Sequence, residues 1–158
     1  MFRKMRRFKQ QLSDADCLAV LQAAKRGVLA VHGDDGYPYA VPLNFVFDPA
    51  ARILYFHMAV AGHKLDAIKR DSKVCFTVMD DGYKVEGDWA WYVRSVVVFG
   101  EAQVVKDDAM RDRWLRALAA KYFPPTEDVE EDMRRNAPRA LVIAVRIDHM
   151  TGKLVHEK

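Results

Sequence analysis

The sequence predicts a mainly β fold, an antiparallel β-barrel with flanking helices. Three observations carry this expectation. The elements run α-β-β-β-α-β-β-α-β, most neighbouring strands are joined by connections short enough for hairpins, and Gly100 interrupts the longest β-type run. Hairpin-linked strands pair antiparallel, and glycine inside a strand marks the kind of bend that curls a sheet into a barrel.

Ser13 followed by Asp14, Ala15 and Asp16 is an N-cap signal, and Leu18, Val20 and Leu21 recur at helical spacing until Gly27, so a helix is expected over 14–26. Val28 to His32, the turn formers Gly33-Asp34-Asp35-Gly36 and then Tyr37 to Asp48 read as strand, tight turn, strand. Asp48-Pro49-Ala50-Ala51 turns the chain into a third strand, Ile53 to Met58. His63 to Arg70 places Leu65 and Ile68 on one face of a short helix, and Lys73 to Met79 returns to strand. Asp80 to Asp88 is polar and reads as loop, whereas Trp89 to Val105 is the long β-type run that Gly100 divides.

Asp107 to Phe123 is the clearest helix. Met110, Trp114, Leu115, Leu118 and Tyr122 line its apolar stripe, aspartates open it and Pro124-Pro125 ends it. The acidic stretch Glu127 to Asp132 leads into a short helical turn, and Ala140 to Ile147, apolar on both faces, reads as a central strand.

With 158 residues and 51% hydrophobic content, the chain suits one domain with one core, expected over 13–158 behind a basic arm at 1–12. No apolar run approaches the roughly 20 residues of a membrane span, and the N-terminus lacks a signal-peptide apolar region, so a cytoplasmic protein without membrane contact is expected. Cys17 and Cys75 then read as buried thiols. Arg3, Lys4, Arg6, Arg7 and Lys9 supply five of the positive charges; removing them from the net +3 leaves −2, which argues against nucleic acid as a partner. The arm reads as a solvated tail or as one that docks on an acidic partner subunit.

Nucleotide loops, the serine-hydrolase elbow and the His-Glu-x-x-His zinc motif are all missing, and His57 and His63 have no evident third ligand, so no metal is expected. Other strings are informative. Tyr37-Pro38-Tyr39-Ala40-Val41-Pro42-Leu43-Asn44-Phe45, Leu54 to Ala59 with Gly62-His63-Lys64-Leu65, Lys73 to Phe76, Tyr92 to Val96 with Phe99-Gly100-Glu101-Ala102, and Thr151-Gly152-Lys153 occur in that order. In this the chain resembles the nitroimidazole-resistance branch of the pyridoxamine-phosphate-oxidase-like flavoproteins, from about Ser13 to Lys153.

The resemblance implies an FMN-binding split β-barrel that works as a homodimer, with FMN at the subunit interface. It implies FMN contacts from Pro42, Leu43, Asn44 and Phe45 along the flavin ring, with Asn44 at the pyrimidine edge. Further contacts would come from His57, Met58 and Ala59, from Gly62, His63 and Lys64, and from Arg94, Ser95 and Val96. His57 would face the space above the ring as a proton-handling catalytic residue. Gly87-Asp88-Trp89-Ala90-Trp91 departs from the pattern of many relatives, which leaves the pocket for a small-molecule substrate open.

The residue types agree with these roles and also admit plainer ones. Gly62-His63-Lys64 opens a helix, where N–H groups and a cation suit a phosphate, although Lys64 could equally be a solvated helix residue. Arg94 and Ser95 sit in an apolar strand and need a partner, either a phosphate or, for Arg94, a rim aspartate such as Asp66. Pro42 inside a strand implies an edge or a bulge, with or without a ligand beside it. His57 closes an apolar strand and could be a hydrogen-bonded rim histidine, while Tyr55 and Phe56 read as core. One of Trp89 and Trp91 is expected to pack on the barrel.

The function expected is an FMN-dependent oxidoreductase that reduces a small acceptor such as a nitroaromatic, the flavin supplying the redox chemistry. The alternative is a non-catalytic flavin- or haem-binding module on the same barrel. A deazaflavin-dependent relative fits less well, and a true pyridoxamine-phosphate oxidase lacks its expected basic signature near the C-terminus.

Overall fold

In the computed structural model, which describes residues 1–156, the elements follow the expected order. They are α1 (Asp14–Ala23), β1 (Arg26–His32), β2 (Pro38–Asn44), β3 (Val46–Asp48), β4 (Ile53–Ala59), α2 (His63–Arg70), β5 (Lys73–Met79), β6 (Tyr83–Lys84), β7 (Trp91–Val104), α3 (Asp108–Tyr122), α4 (Val129–Asn136) and β8 (Ala140–His156). The main sheet path is β2-β1-β5-β7-β8-β4-β3, every pairing along it antiparallel, and β6 adds to β7. Its two terminal strands, β2 and β3, are separated in the chain by Phe45 alone. The sheet therefore curls until its ends are covalently continuous, which makes it a split barrel.

The helices start where their caps dictate. The Ser13 hydroxyl accepts from the Asp16 N–H, the Asp107 carboxylate from Met110, and the Asp128 carboxylate from both Glu130 and Glu131. In α4 the acidic residues crowd the first turn and Arg134 and Arg135 the last, which complements the helix dipole and extends the expected turn into a full helix.

Inside the barrel Phe45, Phe56 and Phe76 form the centre of the core, with Phe45 and Phe56 both edge-on to Phe76 at 4.9 and 5.0 Å between ring centroids. A second apolar cluster lies outside it, where α3 and α4 cover β4 and β8; Tyr55 stacks on Trp114 there at 3.8 Å. Tyr55 and Phe56 are both buried, on opposite faces of β4.

Four boundaries differ from expectation, the first being the helix expected over 14–26, which ends at Ala23 because β1 begins at Arg26 and takes Gly27 into a strand. The run Tyr37 to Asp48 breaks at Phe45, because its N–H donates to the Tyr122 hydroxyl and its carbonyl accepts from Tyr122 and from Lys121 Nζ, so neither group is left for a ladder. The last strand does not stop at Ile147 but continues to His156, paired with β7 throughout. Phe99 faces His149 while Gly100 faces Ile147, so Asp148 is the extra residue of a bulge, and a Cβ on Gly100 would collide with the Arg146 carbonyl oxygen. The expected loop 80–88 contains the short strand β6; Trp89 and Trp91 both stand outside the two apolar clusters, and the Trp91 ring lies against Lys84 of β6.

The N-terminal arm contacts its own chain. The Phe2 ring stacks on His149 at 4.5 Å and on Phe99 at 5.6 Å, over the outer face of β7 and β8.

Candidate functional site

Strand β4 sends Leu54, Phe56 and Met58 into the barrel and Tyr55, His57 and Ala59 outward, as a two-residue period requires. Tyr55 is covered by Trp114; His57, one outward step further, is not. It borders a cavity of about 300 Å3 between the barrel and the α3–α4 pair, whose walls include Leu118, Ala119 and Met133 and whose polar groups are His57, Asp132 and Asn136. Although the ring is reached by solvent, the walls around it deprive its charged form of water, and the nearby Lys64 charge adds to this. Together they hold its pKa below the ordinary histidine value, against a smaller opposing pull from Asp132.

Beyond Ala59 the chain turns through Gly62, at φ 132°, a backbone region that side chains disfavour, and α2 begins. No side chain caps this helix, so its first N–H groups are left for another acceptor. Met58, Ala59, Gly62, His63 and Lys64 surround a second cavity of about 210 Å3. Tyr39 forms the opposite wall, its ring stacked on His63 at 4.1 Å, and Asp34 holds the other side of that imidazole at 3.4 Å. Lys64 is different. It is half-buried, burial lowers its pKa, and among the described residues no carboxylate offsets that cost.

The remaining expected contacts lie elsewhere in the chain. Pro42 faces outward on β2, an edge strand of the sheet path, opposite Val28; Leu43 packs on the core; Asn44 is half-buried at the strand end opposite Arg26. Phe45 and Val96 are wholly buried; both backbone groups of Phe45 are taken by Tyr122 and Lys121, and Val96 is paired with β5 on one side and β8 on the other. Ser95 sits between Met79 and Lys153 on β7.

Arg94 has a protein partner, and it is Asp80, not Asp66. Its Nε donates to Asp80 Oδ2 at 2.7 Å, and its backbone N–H donates to Oδ1 at 2.8 Å. Burial works to raise the Asp80 pKa, but the guanidinium and the N–H groups of Arg94 and Gly82 outweigh it and hold the carboxyl below its usual range. Sequence spacing does not signal this pair, because a loop of variable course separates the two residues. Both line a third cavity, of about 700 Å3, with Lys25, Arg26 and Asp81. It shares no lining residue with the one at Lys64. Sequence reasoning missed Asp132, which it placed only at the end of an acidic stretch, and Asn136, which carries no signal of its own.

Two further facts bear on what the protein can bind. Among the described residues no group of three or more His, Cys, Asp and Glu is placed to hold a metal ion, and no helix is long and apolar enough to cross a membrane.

The fold is thus a split barrel in which strand β4 borders two small cavities, with Lys64 beside one of them. The chain belongs to the pyridoxamine 5'-phosphate oxidase family, whose model matches residues 13–154. Among curated proteins none matches in sequence. Among solved structures it is similar to a candidate 5-nitroimidazole antibiotic resistance protein of Bacteroides thetaiotaomicron, with 20% identity over 92% of this chain and 87% of that one and a TM-score of 0.75. It is also similar to an FAD-binding protein of Mesorhizobium loti, with 24% identity, 92% and 97% coverage and a TM-score of 0.68. An FAD and haem binding protein of Mycobacterium smegmatis aligns at 23% identity, 92% and 73% coverage and a TM-score of 0.72.

Proposed function

We propose that the protein is a cytoplasmic, homodimeric, FMN-dependent oxidoreductase that reduces a small acceptor such as a nitroaromatic. The observation that carries this reading is Lys64: a half-buried cation with no opposing acid among the described residues, at the uncapped start of α2 and close enough to His57 to depress its pKa. Such a place favours a compact anion, and a phosphate monoester supplies it. Two of the solved relatives bind a flavin by name, which supports flavin as the bearer of that phosphate.

In this reading Gly62, His63 and Lys64 hold the phosphate, Met58 and Ala59 pack beside it, and Pro42, Leu43 and Asn44 run along the ring. Phe45 and Val96, wholly buried, support the neighbouring contacts from within the barrel. Arg94 and Ser95 line no part of the Lys64 cavity, and in this reading they reach the cofactor from the second subunit. When bound, flavin supplies the electron transfer. His57, kept neutral near pH 7, then holds a proton on one ring nitrogen and can deliver it to an acceptor above the ring.

Flavin titration tests the anchor. Lys64→Ala loses a charge-assisted contact of about 1.5 to 3 kcal/mol, so FMN affinity is expected to fall by roughly tenfold to a hundredfold with the fold intact. Unchanged affinity would make Lys64 a surface residue.

A further inference from the structure

We infer that the cavity between β4 and the α3–α4 pair is a binding site for a compact, uncharged aromatic ring that carries an N–H or O–H donor. Its size, about 300 Å3, lies at the lower end of the range for small-molecule sites, too small for a flavin nucleotide and sufficient for one ring system. Leu118, Ala119 and Met133 give it apolar walls that disfavour a charge.

The polar groups converge from two elements. Asn136 Nδ2 donates to Asp132 Oδ1 at 2.6 Å, which fixes the carboxylate and leaves Oδ2 for another donor. His57, on the facing strand, borders the same space. A ligand N–H or O–H satisfies Asp132, the ring fills the apolar part, and an anionic ligand is repelled by the same carboxylate. Only His57 links this site to the flavin reading, so binding here does not require flavin.

NMR of the full chain with labelled methyl groups and histidine rings tests the proposal, with indole as probe. Saturable shifts are expected at His57, Leu118 and Met133, with benzoate binding about tenfold or more weakly. Ala119→Phe, which fills the cavity, should abolish these shifts while FMN affinity stays unchanged. Should that variant not fold, Asp132→Asn provides the second arm. It should weaken indole by about fivefold or more and leave 1-methylindole, which has no N–H, unaffected.

Absent or non-saturable shifts, shifts that persist in folded Ala119→Phe, or equal binding of indole and benzoate would overturn the proposal. So would an Asp132→Asn variant that treats indole and 1-methylindole alike. Failure of the wild-type protein to bind FMN would overturn the flavin reading alone, because the indole arms contain no flavin.

Discussion

Burial and a neighbouring cation both act on His57, and they make its titration a local probe of the candidate site. The folded-state pKa lies below the unfolded value of about 6.5. Between those two values the unfolded chain binds the proton and the folded chain does not, so stability falls as pH drops through about 6.5 and levels off below the folded pKa. The difference between wild type and His57→Gln in urea denaturation from pH 7.5 to pH 5 is expected to show that loss in the wild type alone. Lys64→Gln removes the nearby positive charge and should raise the His57 pKa, as followed by the ring proton shifts. An unmoved pKa would leave burial as the sole cause. Arg94 is the contrasting residue: its environment in the sequence called for an anionic partner, and the chain supplies that partner itself through Asp80.

The C-terminal turn of α3 acts as a clasp on the barrel seam. Lys121 Nζ donates to the carbonyls of Ala24 and Phe45 at 2.8 and 2.9 Å and lies 4.2 Å from the centre of the Phe45 ring. The Tyr122 hydroxyl accepts from the Phe45 N–H and also contacts the Phe45 and Lys25 carbonyls. One side-chain pair thus ties α1, the β2–β3 junction and α3 together. Bonds from charged donors contribute about 1.5 to 3 kcal/mol each, and burial of the cation offsets part of that. Lys121→Met is therefore expected to lower unfolding free energy by about 2 kcal/mol in urea titration; equal or greater stability would show that burial cost outweighs the bonds. Elements with a local signature were legible in the sequence: α2 and β5 match residue for residue, and the caps mark α1 and α3 to within a few positions. What escaped was non-local. The break at Phe45 depends on a tyrosine far along the chain, and the second half of β8 is polar because its outward residues, His149, Thr151 and Lys153, lie on the sheet's outer face opposite Phe99, Val97 and Ser95 of β7. Of the candidate site, the β4–α2 strings stood out through the family resemblance, while their residue types alone also admitted a rim histidine and a solvated lysine. Asp132 and Asn136 gain meaning only when α4 folds over His57.

At the scale of the whole molecule, Pro42, Val28, Thr77, Val97 and Thr151 align across five adjacent strands on the outer sheet face. Val28, Met79 and Phe99 leave 37%, 69% and 40% of their surface exposed there, an apolar strip of the kind that self-associating proteins cover. The cavities at Lys64 and at Arg94 share no residue, and in the proposed reading the cofactor draws the first from one copy of the chain and Arg94 from the other. Assembly and cofactor binding are then linked, and dilution should release both together. Sedimentation velocity monitored at flavin and protein wavelengths, over a dilution series with FMN added at one equivalent per chain, tests this most directly. The account predicts that flavin absorbance travels with a dimer and returns to the free fraction as the dimer dissociates. A monomer that retains flavin at full occupancy, or a stable dimer that binds none, would contradict it.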